Sequence, residues 1–395
     1  MKYEIISHPN GHQLPIVLDD EGMPEPLYNE YLLSRDRQKA NTLKRNASEL
    51  VVIARWVENQ KIDLVEKFVK GTLKEAELRG SLIPWLKRNH RKGVKVHNIY
   101  VAPEVFNQRL IALRAFLGWV YDEKVVGMSY SSEAFVALTH SMERVSRIID
   151  DSYIKKPPLK SVKNLGLTLD QANDLLDCVD PNNPLAYGRD PAIKHRNYVI
   201  VLLLLSTGMR PGELLSLRVE DVKTGAIPAI HMQIREPDPN DPRKDKPSVK
   251  RNARIIPIMD RNLAYQLDKY IVDTRDDLEE KSKLAGDYLI LSSNGEPLTL
   301  KSLGNFFRII RDKNKDKLPS HLSPKAMRHT FSTYILKELR SSGLDEDEAR
   351  LSLAILRGDS NLDSQDDYTK QFYEDSTRNS MLSYQKRIMR EEVSW

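Results

Sequence analysis

Eight consecutive apolar residues, Tyr198 to Leu205, constrain this chain more than any other feature. The run is too short to span a bilayer, which takes roughly 20 residues. It is also apolar all round, which a surface helix is not. It reads as the middle of a buried helix over 195–206, with other elements packed on every side. With 395 residues, the chain has room for two or three domains built around such cores.

Ahead of that run the apolar period is helical. From Leu27 to Phe68 it places Leu43, Ala47, Leu50, Ile53, Trp56 and Val57 on packing faces, with Thr42 expected to cap the second helix. A third helix is expected over 73–86. A fourth, over 105–120, packs through Leu110, Leu113, Phe116, Leu117 and Val120. Trp56, Phe116 and Trp119 read as core. Residues 133–149 continue the helical period until Lys155-Lys156-Pro157-Pro158 ends it, so a domain boundary falls near 160. Residues 1–23 differ: Ile5-Ile6 and Leu14 to Leu18 flank Pro9-Asn10-Gly11, the pattern of a hairpin, with Pro15 suited to an edge strand.

Beyond 160 a helix starts at Leu169, and a loop over 181–191 precedes the buried helix. Short strands are expected at 255–258 and 288–291. The charged, proline-bearing stretch 235–243 reads as an exposed loop. Helices are expected again over 302–311, 324–339 and 346–356. The fold class is therefore mainly α with a small antiparallel β-sheet.

Charge and composition exclude more than they identify. Lys plus Arg number 61 against 56 Asp plus Glu, a net +5 that does not by itself establish a polyanion partner. The single cysteine, Cys178, allows no intramolecular disulfide and no multi-cysteine zinc site, and the nine histidines show no ligand spacing. The amino end lacks a signal-peptide pattern, so a cytoplasmic protein with no membrane partner is expected. One local run stands out: Lys87, Arg88, Arg91, Lys92 and Lys95 carry five positive charges without an acid, as a phosphate-binding loop would. Arg45, Arg109 and Arg114 are expected to extend that DNA-binding patch.

Chemistry concentrates in three separated places. Arg210 follows Ser206-Thr207-Gly208, where glycine permits close backbone approach and Pro211 suits a first helical turn. Glu213 is placed to pair with Arg210 or hold the turn. Arg328 opens a second helix. Two guanidinium forks can hold one phosphate and stabilise charge on a pentacovalent phosphoryl group. Tyr368, in the polar segment Asp366 to Lys370, is a phenol placed for nucleophilic attack. The leaving hydroxyl needs a proton, and Lys250 is the expected general acid, with Lys246 as its replacement.

In these segments the chain resembles the tyrosine recombinase, or phage integrase, family. Ser206 to Leu217 resembles the box around the family's first catalytic arginine. Pro324-Lys325-Ala326-Met327-Arg328-His329-Thr330-Phe331 resembles the second box, His-x-x-Arg-His-Thr. Leu356-Arg357-Gly358-Asp359 resembles the third, Leu-Gly-His, followed nine residues later by the nucleophile, which is Tyr368 here. Arg254 to Ile258 resembles the strand after the family's hairpin lysine, the role given to Lys250.

The resemblance implies a helical core-binding, DNA-binding domain over 24–160, after the hairpin extension 1–23. It implies an α+β catalytic domain over 161–383 and a tail, 384–395, docking on a neighbouring protomer. The implied activity is site-specific DNA recombination through a 3′-phosphotyrosine, with no metal or other cofactor. The implied partners are double-stranded DNA carrying a recombination site, further copies of the chain forming a dimer to tetramer on it, and accessory DNA-bending proteins. Two positions depart from the pattern. Lys325 replaces the box histidine and retains a proton donor. Asp359 replaces a residue that positions the phosphate, where a carboxylate repels it unless it holds a lysine, an arginine or a backbone amide. His329 and His321 are candidate compensators. The departures keep open an alternative, a catalytically weak DNA-binding accessory protein with this fold.

Overall fold

The helix Pro191–Thr207 carries the long apolar run, and Val201, Leu203, Leu204 and Leu205 are completely buried. Asp190 caps it by accepting from the Ala192 amide at 2.9 Å, and Pro191 occupies the first turn, where its missing N–H costs no helical bond. The structure, a computed structural model, describes all residues except 91–98, 156–165, 226, 248, 250–252, 360–376, 378–379 and 390–395. The expected Lys250, Tyr368, Arg91, Lys92, Lys95 and most of the Lys155–Pro158 linker lie outside the described residues.

The chain divides into two compact units, Met1–Lys160 and Ser161–Trp395. In the first, strands β1 (Lys2–Ser7) and β2 (Gln13–Leu18) pair antiparallel, with Ile6 opposite Leu14. Gly11 has φ +87°, which the tight turn requires. Strand β2 alternates buried and half-buried residues, and Val17 enters a core formed with the helices Pro26–Leu33, Ala40–Gln60, Leu64–Val69, Pro103–Val125 and Glu133–Ser152. Trp56 and Phe116 lie in that core. Thr42 does not cap: the helix begins at Ala40 with Lys39 at the cap position, so Thr42 lies within the first turn. The segment 75–87 contains a π-helical turn, Leu78–Leu82, immediately before Pro84, whose nitrogen cannot donate back along the helix.

In the second unit the helices Leu169–Val179, Pro191–Thr207, Leu300–Lys313, Pro324–Ser341 and Glu346–Arg357 share one core. A three-stranded antiparallel sheet, β3 (Val222–Lys223), β4 (Ala229–Met232) and β5 (Arg254–Pro257), runs beside it in the order β3-β4-β5, with Ile230 opposite both Val222 and Ile256. Tyr288 to Leu291, expected as a strand, forms no ladder. It is tied by isolated bridges, Arg218 to Tyr288 and Leu291 to Pro297, with no neighbouring strand in register along its length, and all four of its side chains are buried.

One further expectation is corrected in this unit. The stretch 235–243 is anchored rather than free. Arg235 donates to Asp221 at 2.6 and 2.9 Å, and the buried Arg243 clasps Asp241 at 2.8 and 2.9 Å while donating to the Leu215 and Leu298 carbonyls. The helix over 380–389, which includes the start of the expected tail, packs on its own unit: Tyr384 is buried against Phe331, its hydroxyl donating to the Leu205 carbonyl at 2.9 Å, and residues 390–395 lie outside the described residues. Gln385 accepts from the Met259 amide at 2.8 Å. Among the described residues no helix is long and apolar enough to cross a membrane.

Candidate active site

Three helix ends and one strand end meet beside the buried helix. At its carboxyl end Gly208 turns the chain with φ +61°; a Cβ there would fall 2.1 Å from Phe331 Cδ1, so no other residue fits. The turn delivers Arg210 as the residue preceding the helix Pro211–Ser216. The Arg210 amide donates to Glu213 Oε2 and its Nη1 to Oε1, both at 2.8 Å. Glu213 is completely buried and also receives Arg254 Nη2, from the start of β5, at 2.9 Å. Burial pushes the Glu213 carboxyl up, but the bonds from Arg254 and Arg210 outweigh it and hold it below the usual carboxylate range.

Arg328 comes from the helix Pro324–Ser341, which Ser323 caps. Its Nη1 donates to the Gly208 carbonyl at 2.7 Å and its Nη2 to the Arg357 carbonyl at 3.2 Å. Burial, with Arg357 and Arg210 nearby, pushes its pKa down to about 9, which leaves it a cation at neutral pH. Thr330, on the same helix, accepts from the Leu167 amide at 2.7 Å and fastens the start of the unit's chain to this element.

The third arm is the carboxyl end of the helix Glu346–Arg357. Gly358 ends it with φ +62°, and a Cβ there would sit 2.7 Å from Arg254 Nη1. The next residue, Asp359, projects its carboxylate between the arginines. Its Oδ1 receives Arg210 Nη2 at 2.5 Å and Arg328 Nη2 at 3.2 Å, and its Oδ2 lies 3.1 Å from Arg357 Nε. The Arg357 carbonyl accepts from both Arg210 Nη1, at 3.3 Å, and Arg328 Nη2.

Arg210, Arg328, Glu213 and Asp359 are therefore gathered in one place. Asp359 holds arginines, one of the arrangements in which a carboxylate is tolerable there. Lys325 is exposed in the first turn of the Arg328 helix, three residues before Arg328 and so on the same side. His329 is half-buried with Nε2 unpartnered, and burial, then Lys325, Arg357 and Arg328, push it towards the neutral imidazole. His321 Nε2 lies 3.3 Å from the Gly166 carbonyl. Sequence reasoning missed two participants, Arg254 and Arg357. The signal for Arg357 was its position before a helix-ending glycine; for Arg254 it was an arginine opening an otherwise apolar strand.

In the first unit Lys87 and Arg88 are exposed, and so is Arg45. Arg88 bridges to Tyr100, and Asn89 N donates to Ile99 O at 2.7 Å, closing the base of the basic run. Arg109, expected on the DNA-binding patch, is corrected: it is 8 % exposed, paired with Glu49 at 3.1 Å, and donates to the Leu86 and Arg88 carbonyls at 2.7 Å. Its guanidinium supports that base from beneath. Arg114, also expected there, pairs with Asp150 and donates to the Ser146 carbonyl at 2.9 Å.

Comparison with known proteins follows the same geography. Residues 166–345, which hold Arg210 and Arg328, match the family model described as the phage integrase family. The tyrosine recombinase XerD of Listeria monocytogenes is 25% identical over 292 residues, 71% of this chain and 88% of the relative. The tyrosine recombinase XerC of Bacillus pumilus is 25% identical over 367 residues, 92% of this chain and 96% of the relative. A crystal structure of the XerH site-specific recombinase, bound to its difH substrate in a pre-cleavage complex, has the same fold. The TM-score is 0.51 at 15% identity, over 87% of this chain and 79% of that one.

Proposed function

The chain belongs to the phage integrase family of tyrosine recombinases, and from that premise we propose that it cuts and rejoins DNA at a specific recombination site through a 3′-phosphotyrosine. One observation carries the reading: Arg210 and Arg328, from different helices, donate to a single anionic oxygen, Asp359 Oδ1. Two forks that can share one carboxylate oxygen can share a phosphate oxygen, whose charge and acceptor geometry are alike.

In this reading the Tyr368 oxygen attacks the scissile phosphorus and its proton passes to water. The bond from phosphorus to the 5′ oxygen breaks, and Lys250 gives that oxygen a proton. A 5′ hydroxyl of the partner strand then attacks the phosphotyrosine, and the phenol leaves with its proton restored. Arg210 and Arg328 stabilise the charge on the pentacovalent phosphorus. Glu213 and Arg254 hold Arg210 in register without touching DNA. Lys325 supplies a further donor, and Lys87, Arg88 and Arg45 meet DNA phosphates from the helical unit, which Arg91, Lys92 and Lys95 extend. A dimer to tetramer on DNA, assisted by DNA-bending proteins, is the assembly such strand exchange requires.

The test is a nicked suicide substrate taken from the protein's own genomic surroundings. The parent forms a covalent protein–DNA band, and Tyr368→Phe abolishes it. A robust adduct in Tyr368→Phe would remove the nucleophile assignment. The position of Asp359 favours one second reading, a DNA-binding accessory protein with weak cleavage. Binding without an adduct on a demonstrated recombination site would select it.

A further inference from the structure

The two carboxylates of the arginine cluster are held in different ways. Glu213 is completely buried, lies on the helix that Arg210 precedes, and is fixed by Arg210 and Arg254. Asp359 keeps a quarter of its side chain exposed and follows a helix-ending glycine. It is nonetheless the group on which the two phosphate-binding forks converge, and its second oxygen faces a third guanidinium, Arg357.

A carboxylate with one oxygen shared by two arginines and the other beside a third presents what a phosphodiester presents: two anionic acceptor oxygens on one planar or tetrahedral centre. Among the described residues, the guanidiniums of Arg210, Arg254, Arg328 and Arg357 face the carboxylates of Glu213 and Asp359, four cations against two anions. The surplus attracts an anion, while the Asp359 carboxylate stands where that anion would bind and repels it.

We infer that Asp359 is a built-in occupant of the phosphate clamp, an autoinhibitory contact that the scissile phosphate must displace before Arg210 and Arg328 can hold it. The inference rests on the reading that these arginines bind phosphate. A lone phosphate competes poorly with a tethered carboxylate. A phosphate delivered with the remainder of a bound DNA site has those other contacts to offset the displacement. The clamp therefore takes up free anions only weakly and at high concentration, and opens readily on DNA.

The sign of one effect separates this from a merely structural role. With the full-length chain and inorganic phosphate as probe, Asp359→Asn keeps the side chain's shape and removes its charge. It should bind phosphate about tenfold more tightly than the parent, by calorimetry or by the phosphate dependence of the thermal midpoint. Adding Arg328→Lys should abolish the gain. A folded Asp359→Asn that binds phosphate equally or more weakly overturns the inference while leaving the clamp itself in place. Phosphate binding indifferent to Arg328→Lys in both backgrounds overturns the clamp reading, and the inference with it. Should Asp359→Asn fail to fold, crystals of the parent soaked in orthovanadate decide. An ion between Arg210 and Arg328 with Asp359 swung aside supports displacement. An ion there beside an unmoved Asp359, or one bound elsewhere, overturns it.

Discussion

Each unit buries an arginine against a glutamate, yet only one of the two clusters looks outward. In the helical unit Arg109 meets Glu49 and two backbone carbonyls, so one cation faces one anion and its Nε and Nη1 donate inside the unit. In the second unit Arg210 and Arg254 meet Glu213 in the same manner, but Arg328 and Arg357 are added, and one further carboxylate comes from a chain segment just beyond a helix end. Burial and ion pairing are common to both. What separates them is unbalanced charge and a second carboxylate that stays partly exposed.

The largest expected effect falls on the unbalanced cluster. Arg328→Lys keeps a positive charge but loses the fork, and the rate of adduct formation on a suicide substrate should fall by about 10²–10³. A rate within a factor of two of the parent would erase the distinction between the clusters. Next in size, Arg109→Met leaves Glu49 buried without its partner and should cost the helical unit about 3 kcal/mol at neutral pH, read as a denaturant midpoint. Adduct formation per folded, DNA-bound molecule should stay at the parental level. A selective loss of cleavage by folded protein would make Arg109 part of the chemistry.

The smallest effect is in pH, and its sign differs between the clusters. Burial raises the Glu213 carboxyl, but Arg254 and Arg210 bring it below 4.5, so its stabilisation is present above 4.5 and is lost as pH falls through the lower folded value. For Glu49, burial outweighs Arg109 and the carboxyl is raised. Its contribution is fully present below 4.5 and declines as pH rises through the higher folded value. Hydrogen exchange followed separately in the two units between about pH 3 and 6 should show opposite slopes from these two residues, exposed by comparing each parent profile with Glu213→Gln or Glu49→Gln. Parallel slopes would show that the two pairs are electrostatically equivalent.

Features governed by local chemistry were legible in the chain. Helical period marked the segments 302–311, 324–339 and 346–356, and the helices Leu300–Lys313, Pro324–Ser341 and Glu346–Arg357 contain them, because their packing faces recur every turn. The mainly helical class with small antiparallel sheets followed from the same periodicities. Tyr288 to Leu291 was not legible as a bridge-tied segment, since an apolar run looks the same whether or not a neighbouring strand is in register. Arg109 reads in sequence as one more positive charge near a basic run; only the approach of Glu49, sixty positions away, turns it inward. The contact between Arg210 and Asp359 spans 149 positions, and no local pattern states that a carboxylate after a helix end will land on an arginine so remote.

Asp359 and the helix over 380–389 are two separate fastenings of the chain to this unit. The first is made by a carboxylate to Arg210 and Arg328, and the second is stitched into the core by Tyr384 and Gln385. Under the proposed displacement, an arriving phosphate would therefore release the first of these two fastenings and leave the second in place.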